Sequence, residues 1–212
     1  MNKGIAFFDF DGTITTKDTL LEFIKFSKGK RRFYFGFLQN IFSLVGMKLK
    51  IFSNQAVKEK MLAHFFSGMP ASVFENQCAA FYCQALPTLI RPAAIAEIKK
   101  LQELGIAVVV VSASPENWIA AWTNQMGVEL IASRLEIKNE MITGKIIGKN
   151  CHGIEKVARI KEKYALSNYA VVYAYGDSSG DLPMLELAND KFFKPFRKSI
   201  KVGVVANPDA KN

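Results

Sequence analysis

The order of elements along the chain constrains its fold more than any other feature. Residues 5–10 form a short apolar run that reads as a buried strand. From residue 16 to 81 the apolar spacing stays close to a helical period, as in Leu20, Leu21, Phe23, Ile24 and again in Val57, Met61, Leu62, Phe65, and no β-like alternation occurs. Gly68-Met69-Pro70 breaks this stretch and residues 71–82 resume it. From Pro92 the texture changes to alternating helices and strands. Residues 93–104 are predicted to form an amphipathic helix closed by Gly105, and 106–111 a β-branched strand buried on both faces. Pro115 is predicted to open the next helix from its first turn. Short strands follow at 130–131 and 136–147, the latter a hairpin around Asn139-Glu140. A helix at 153–164, a buried strand at 170–175, a helix at 182–188 and a last strand at 202–205 complete the reading. One strand, a helical insertion and repeated strand-helix units imply an α/β fold with a parallel sheet. The expected organisation is a core of residues 1–15 and 86–212 with an all-helical cap at 16–85.

Ligands of such sheets bind beyond the carboxyl ends of the strands, and three of those ends carry polar groups. The first is Asp9 and Asp11, one residue apart. On a strand they would point to one side and form an acidic cup for a hard cation such as Mg²⁺. A carboxylate there can also act as a nucleophile toward phosphorus, and a plain Asp-Gly turn accounts for the same residues taken alone. The second is Ser112-Ala113-Ser114, expected just before a helix, where a hydroxyl and free N–H groups favour an anion or simply cap the helix. The third is Gly176-Asp177-Ser178-Ser179-Gly180-Asp181, two more carboxylates among residues small enough for close backbone approach. Lys156, early in a helix, opposes the macrodipole and can neutralise carboxylates or merely lie on the surface.

Composition narrows the class. Of 212 residues, 50% are hydrophobic and 22% charged, which suits a globular protein rather than a disordered one. An excess of 28 Lys+Arg over 19 Asp+Glu gives a net charge of +9 and favours anionic partners, although no nucleic-acid motif accompanies it. Cys78, Cys83 and Cys151 form no CxxC pair and only His64 and His152 occur, so a zinc site is not expected. An odd cysteine count, and a first apolar run interrupted by Asp9 and Asp11, point to a reducing cytoplasm. Residues 33–52 are strongly apolar beside Lys28, Lys30, Arg31 and Arg32. Their uncharged part is short for a spanning helix, which needs ~20 apolar residues. It fits either a buried helical hairpin or peripheral membrane contact through residues 28–52.

Four motifs in order, DFDGT at residues 9–13, Ser112, Lys156 and GDxxxD at 176–181, resemble the haloacid dehalogenase-like superfamily of phosphohydrolases. The helical insertion after the first motif, the Ser112 to Glu116 run, Asp181-Leu182-Pro183-Met184-Leu185 and the late Val205-Ala206-Asn207-Pro208-Asp209 are similar to the subgroup containing phosphoserine phosphatase. Small bacterial members of that subgroup include a phosphatidylglycerophosphate phosphatase. The resemblance implies a Rossmann-like core and a Mg²⁺-dependent hydrolysis of a small phosphorylated substrate. It gives Asp9 as nucleophile, Asp11 as acid and base, and Lys156 as the catalytic cation. It further implies Mg²⁺ held by Asp9, the carbonyl of Asp11 and Asp177, with Asp181 in support. Ser112, the N–H of Ala113, Lys156 and Thr13 would meet the phosphoryl group, and Asp18 the rest of the substrate. Two departures stand out. Gly180 replaces the Asn that precedes the last Asp in phosphoserine phosphatases, and only Lys58 or Lys60 lies near the position of their substrate-binding Arg. The resulting expectation is a phosphatase of a small metabolite, with a membrane-associated lipid phosphatase or a non-catalytic phosphate-binding module as alternatives.

Overall fold

The computed structural model describes residues 4–39 and 53–197. Its centre is a five-stranded, all-parallel sheet in the order β3-β2-β1-β6-β7. The strands are β1 (Ile5–Phe8), β2 (Ala107–Pro115), β3 (Glu129–Ser133), β6 (Val172–Gly176) and β7 (Asp190–Phe193). A two-stranded antiparallel hairpin, β4 (Leu135–Lys138) and β5 (Met141–Ile146), stands apart from it. Four described α-helices lie between β1 and residue 92: α1 (Thr19–Lys28), α2 (Lys30–Gln39), α3 (Asn54–Phe66) and α4 (Ala71–Gln84). The remaining helices are α5 (Pro92–Glu103), α6 (Ala120–Met126), α7 (Ile154–Lys163) and the short α8 (Leu182–Leu185).

Alternation along β1 explains why it occupies the middle of the sheet. All four of its residues are buried, Ala6 and Phe8 joining one apolar cluster and Ile5 and Phe7 the other. The first cluster takes in Ile98 and Leu101 of α5 and the Phe23, Phe66, Phe74 and Phe81 rings of the helical insertion. The second takes in Ile160 of α7 and Met184 and Leu185 of α8. A strand buried on both faces must be apolar throughout.

Several boundaries differ from the sequence reading for identifiable reasons. The first strand ends at Phe8, not at residue 10. Residues Phe10–Ile14 wind into one tight turn with Gly12 at φ +83°, so Asp9 and Asp11 do not share a strand face. Pro115 does not open a helix. Strand β2 continues through Ser112, Ala113 and Ser114 to Pro115, and the next helical turn starts at Glu116. The Ser112 hydroxyl accepts the Ser114 N–H at 3.0 Å and ties the strand end to itself, an alternative that Ser offers as readily as a helix cap. Strand β7 was not expected, because all four of its residues are exposed and carry no period. The predicted strand at 202–205, the Val205 to Asp209 motif and residues 40–52 lie outside the described residues.

The hairpin ties the core to the helical insertion. Asn139 and Glu140 both have positive φ, 49° and 61°, as a two-residue hairpin turn requires. Gly68 N–H donates to Ile142 O (2.9 Å), Ala71 N–H to Glu140 O (2.8 Å) and Ile142 N–H to Met69 O (2.9 Å). On the other side of β5, Ile146 N–H donates to Glu59 Oε1 of α3 at 3.0 Å. Gly144, at φ +85°, lies so close to Ala63 that a β-carbon would run into that residue's backbone. Gly144→Ala is therefore expected to lower the unfolding free energy by about 2 kcal/mol or more, through overpacking and backbone strain. Urea denaturation checks this, and an unchanged midpoint would contradict the contact.

Candidate active site

Asp9 follows β1, and its N–H still pairs with Tyr175 O of β6 at 2.9 Å, so the sheet itself fixes the residue. Its carboxylate receives the Lys156 ammonium at 2.6 Å. The same ammonium contacts Asp181 Oδ1 at 2.7 Å, and both Lys156 and Asp181 are only 1% exposed. Lys156 reaches this place from the first turn of α7, which presents it inward beside Val157 and Ile160. Burial opposes the charge of Lys156, but Asp9 and Asp181 outweigh that effect and raise its pKa. Burial pushes the Asp9 carboxyl up to about 7, with Lys156 pulling in the other direction.

Asp181 organises the loop after β6. Its Oδ2 accepts Asp177 N–H (3.1 Å), Ser178 N–H (2.9 Å) and Ser178 Oγ–H (2.7 Å). Burial raises its carboxyl, yet Lys156 and the Ser178 bonds prevail and hold it below the usual range. Asp177 is thereby aimed at the β1 end. Gly12 makes room for it, since a β-carbon there would lie 2.5 Å from Asp177 Oδ2. Arg197 donates to the same Oδ2 at 2.5 Å, and burial raises the Asp177 carboxyl while Arg197 lowers it.

Carboxylate oxygens of Asp9, Asp177 and Asp181 fall within 4.8 Å of one another. Oxygen donors at that spacing suit a hard divalent cation such as Mg²⁺. Asp181 spends both oxygens on the bonds above, whereas Asp9 and Asp177 each use one in them and keep the other. The Asp11 carboxylate lies outside this cluster. Its Oδ1 accepts both the N–H and the hydroxyl of Thr19 at 2.6 Å, and its Oδ2 accepts Ser114 Oγ–H at 2.6 Å and, more loosely, Ser112 at 3.4 Å. Trp118 Nε1–H in turn donates to Thr19 Oγ1 at 3.0 Å.

These groups border a cleft of about 530 Å³ between the strand ends and the insertion. Asp9, Asp11, Asp18, Ala113, Lys156, Asp177 and Asp181 all line it. Asp18, exposed at the cleft, caps α1 by accepting Leu21 N–H at 3.1 Å, and the surrounding protein together with Asp11 raises its carboxyl to about 6. Lys58 lines the cleft as well and donates to Ala113 O at 3.0 Å, whereas Lys60 does not line it. Ser112 is buried behind the cleft wall with its hydroxyl toward Asp11. Thr13 is buried outside the lining, and its hydroxyl has no partner among the described residues. Ser114, Asn54 and His152 line the cleft without having been singled out by sequence reasoning. The period of two along β2 could have found Ser114 from Ser112. No pattern marks the other two.

The family model of haloacid dehalogenase-like hydrolases matches residues 6–186. The chain is 35% identical over 194 residues to the protein CicA of Caulobacter vibrioides, covering 90% of this chain and 85% of that one. It is 32% identical over 194 residues to a probable phosphatase of Mycobacterium tuberculosis, covering 85% of this chain and 65% of that protein. A solved phosphoserine phosphatase, determined as an analogue of its phospho-aspartyl intermediate, shares the fold with a TM-score of 0.57 at 21% identity, over 89% of this chain and 84% of its own. With the parallel core, its motif-bearing strand ends and a family match over most of its length, the chain belongs to the haloacid dehalogenase-like hydrolases.

Proposed function

We propose that the protein is a Mg²⁺-dependent phosphomonoester hydrolase that acts on a small phosphorylated metabolite through an aspartyl phosphate on Asp9. Residues 16–85 serve as a helical cap over a core of 1–15 and 86–212. The observation that carries this reading is the fixed Asp9 carboxylate, held by Lys156 on one oxygen and bordering the cleft beside Asp177. The probable phosphatase among the relatives and the phospho-aspartyl analogue of a neighbour agree with it.

In this reading Asp9 attacks phosphorus and the bond to the leaving oxygen breaks. Asp11 delivers a proton to that oxygen, then takes one from the water that cleaves the aspartyl phosphate and restores Asp9. Thr19 and Ser114 suit both halves of the task, since hydroxyls can donate to a carboxylate or accept from a carboxylic acid. Lys156 and the Ala113 N–H stabilise charge on the phosphoryl oxygens, Ser114 adds a hydroxyl at the same wall, and Ser112 supports that wall from behind through Asp11 and the Ser114 N–H. Asp9, the Asp11 carbonyl and Asp177 would hold Mg²⁺, with Asp181 fixing the loop that carries Asp177. The ion supplies positive charge that lowers repulsion between the nucleophile and the incoming phosphate.

Asp9→Asn is expected to abolish phosphate release from p-nitrophenyl phosphate while the circular dichroism spectrum survives. Chelation with EDTA should stop wild-type turnover and added Mg²⁺ restore it. Full activity in the variant ends the nucleophile assignment, and metal-independent turnover ends the cation's role. A protein that turns over no phosphate ester would instead be a non-catalytic phosphate-binding module.

One observation favours a second reading, a membrane-associated lipid phosphatase. Helix α2 exposes Tyr34 (64%), Phe35 (63%) and Leu38 (63%) next to Lys30, Arg31 and Arg32. No described helix is long and apolar enough to cross a membrane, so any contact would be interfacial. Sedimentation with phosphatidylglycerol vesicles at low salt is expected to pull the protein down under this reading, and replacing all three apolar residues by Ser to release it. No binding at low salt would dismiss it.

A further inference from the structure

Gly180 is buried but has no left-handed φ, so its backbone does not call for glycine. The reason is steric. A β-carbon at Gly180 would collide with Nε2 of His152 and come within 2.8 Å of its Cδ2 and 2.9 Å of its Cε1. The imidazole therefore occupies the place that a side chain at position 180 would take. Backbone bonds hold the two loops in this relation: Gly153 N–H donates to Gly180 O at 3.1 Å, and His152 N–H to Asn150 O at 2.7 Å. Across the cleft mouth, Asn54 Nδ2 at the start of α3 lies 3.4 Å from His152 Nε2. Both residues line the cleft, one from the core and one from the insertion.

The other groups around the cleft indicate what such a pair can read. Among the described residues, each cation that lines it already has protein oxygen partners. Lys58 holds Ala113 O (3.0 Å), Arg91 holds Thr15 O (3.0 Å) and Phe196 O (3.2 Å), and Arg197 holds Asp177 (2.5 Å). Lys156 is taken by Asp9 and Asp181, and Lys17 lies 3.9 Å from Glu22. A carboxylate on the substrate would have to compete with these oxygens. Leu20, Leu21, Phe37, Val57 and Met61 supply apolar lining. Burial, with the charges of Lys156 and Lys58, keeps the His152 pKa down, so the ring is a neutral donor and acceptor.

We propose that His152, seated in the space left by Gly180 and paired with Asn54, is a specificity-determining residue that reads an uncharged hydroxyl on the leaving alcohol. The cleft thereby selects polyol-like phosphomonoesters over apolar ones. This rests on the phosphomonoesterase reading above. The test compares kcat/KM for sn-glycerol 3-phosphate and propyl phosphate, esters of equal chain length that differ only in hydroxyl groups. Wild type should prefer the glycerol ester, and His152→Ala should cut the ratio by about tenfold, the worth of one good hydrogen bond. His152→Gln, which keeps a donor and an acceptor, should retain more of the preference. Gly180→Ala should lower the ratio as His152→Ala does, because its methyl group displaces the ring, and the double variant should fall no further than His152→Ala. A ratio unchanged in His152→Ala, a wild-type preference for propyl phosphate, or additive losses at the two positions would each overturn the inference. Turnover of propyl phosphate with no hydroxyl preference sinks this inference alone. Turnover of p-nitrophenyl phosphate but of neither ester likewise sinks this inference alone, whereas turnover of none of the three sinks the phosphomonoesterase reading and this inference with it.

Discussion

One buried ammonium holds the site together. Lys156 lies 2.6 Å from Asp9 and 2.7 Å from Asp181, and water reaches almost none of the three. Two carboxylates in that interior would repel, and a lone ammonium there would be costly to desolvate. With both carboxylates ionised the three leave one net negative charge, shared among segments distant in sequence: the end of β1, the start of α7 and the loop after β6. Because Asp181 also receives the N–H groups of Asp177 and Ser178, the position of Asp177 depends on the same contact. Asp9, the proposed nucleophile, and the Asp177 carboxylate beside it are thus held in place by the fold itself, which is what electrostatic preorganisation requires.

The insertion completes the cleft from the other side. Gln55 accepts Asn150 N–H and donates to Gly148 O, both at 3.0 Å, and Lys58 reaches Ala113 O at the same distance. With Glu59 bound to the hairpin, the first two turns of α3 are fastened to the core along one side. Groups of the insertion such as Asn54 and Lys58 thus share one cleft with groups of the core such as His152 and Lys156.

Much of this was legible in the sequence, and the exceptions share a cause. The parallel core followed from β1 and β2 being apolar on both faces, and the hairpin from Asn139-Glu140. Asp9, Asp177, Asp181 and Lys156 stood out only as an ordered set of motifs, since each taken alone reads equally as a turn, a solvated loop or a surface lysine. The turn at residues 10–14 did not, since DFDGT fits a strand end and a tight turn equally well until Asp177 demands space beside Gly12. Ser112 looks the same as a helix cap or as a strand residue bonded to its own neighbour. Strand β7 is exposed throughout, so no periodicity records it. His152 has meaning only through the missing side chain of Gly180, a relation between loops that no local pattern contains.

The central claim is that the geometry reserves Asp9 for covalent attack on phosphorus. Its most direct test is to mix the Mg²⁺-loaded protein with a labelled phosphomonoester, quench in acid and reduce with borohydride, which converts an aspartyl phosphate to homoserine. The account predicts homoserine at position 9 and at no other aspartate. Label found at Asp11 or Asp177, or turnover with no trapped residue at all, would contradict it.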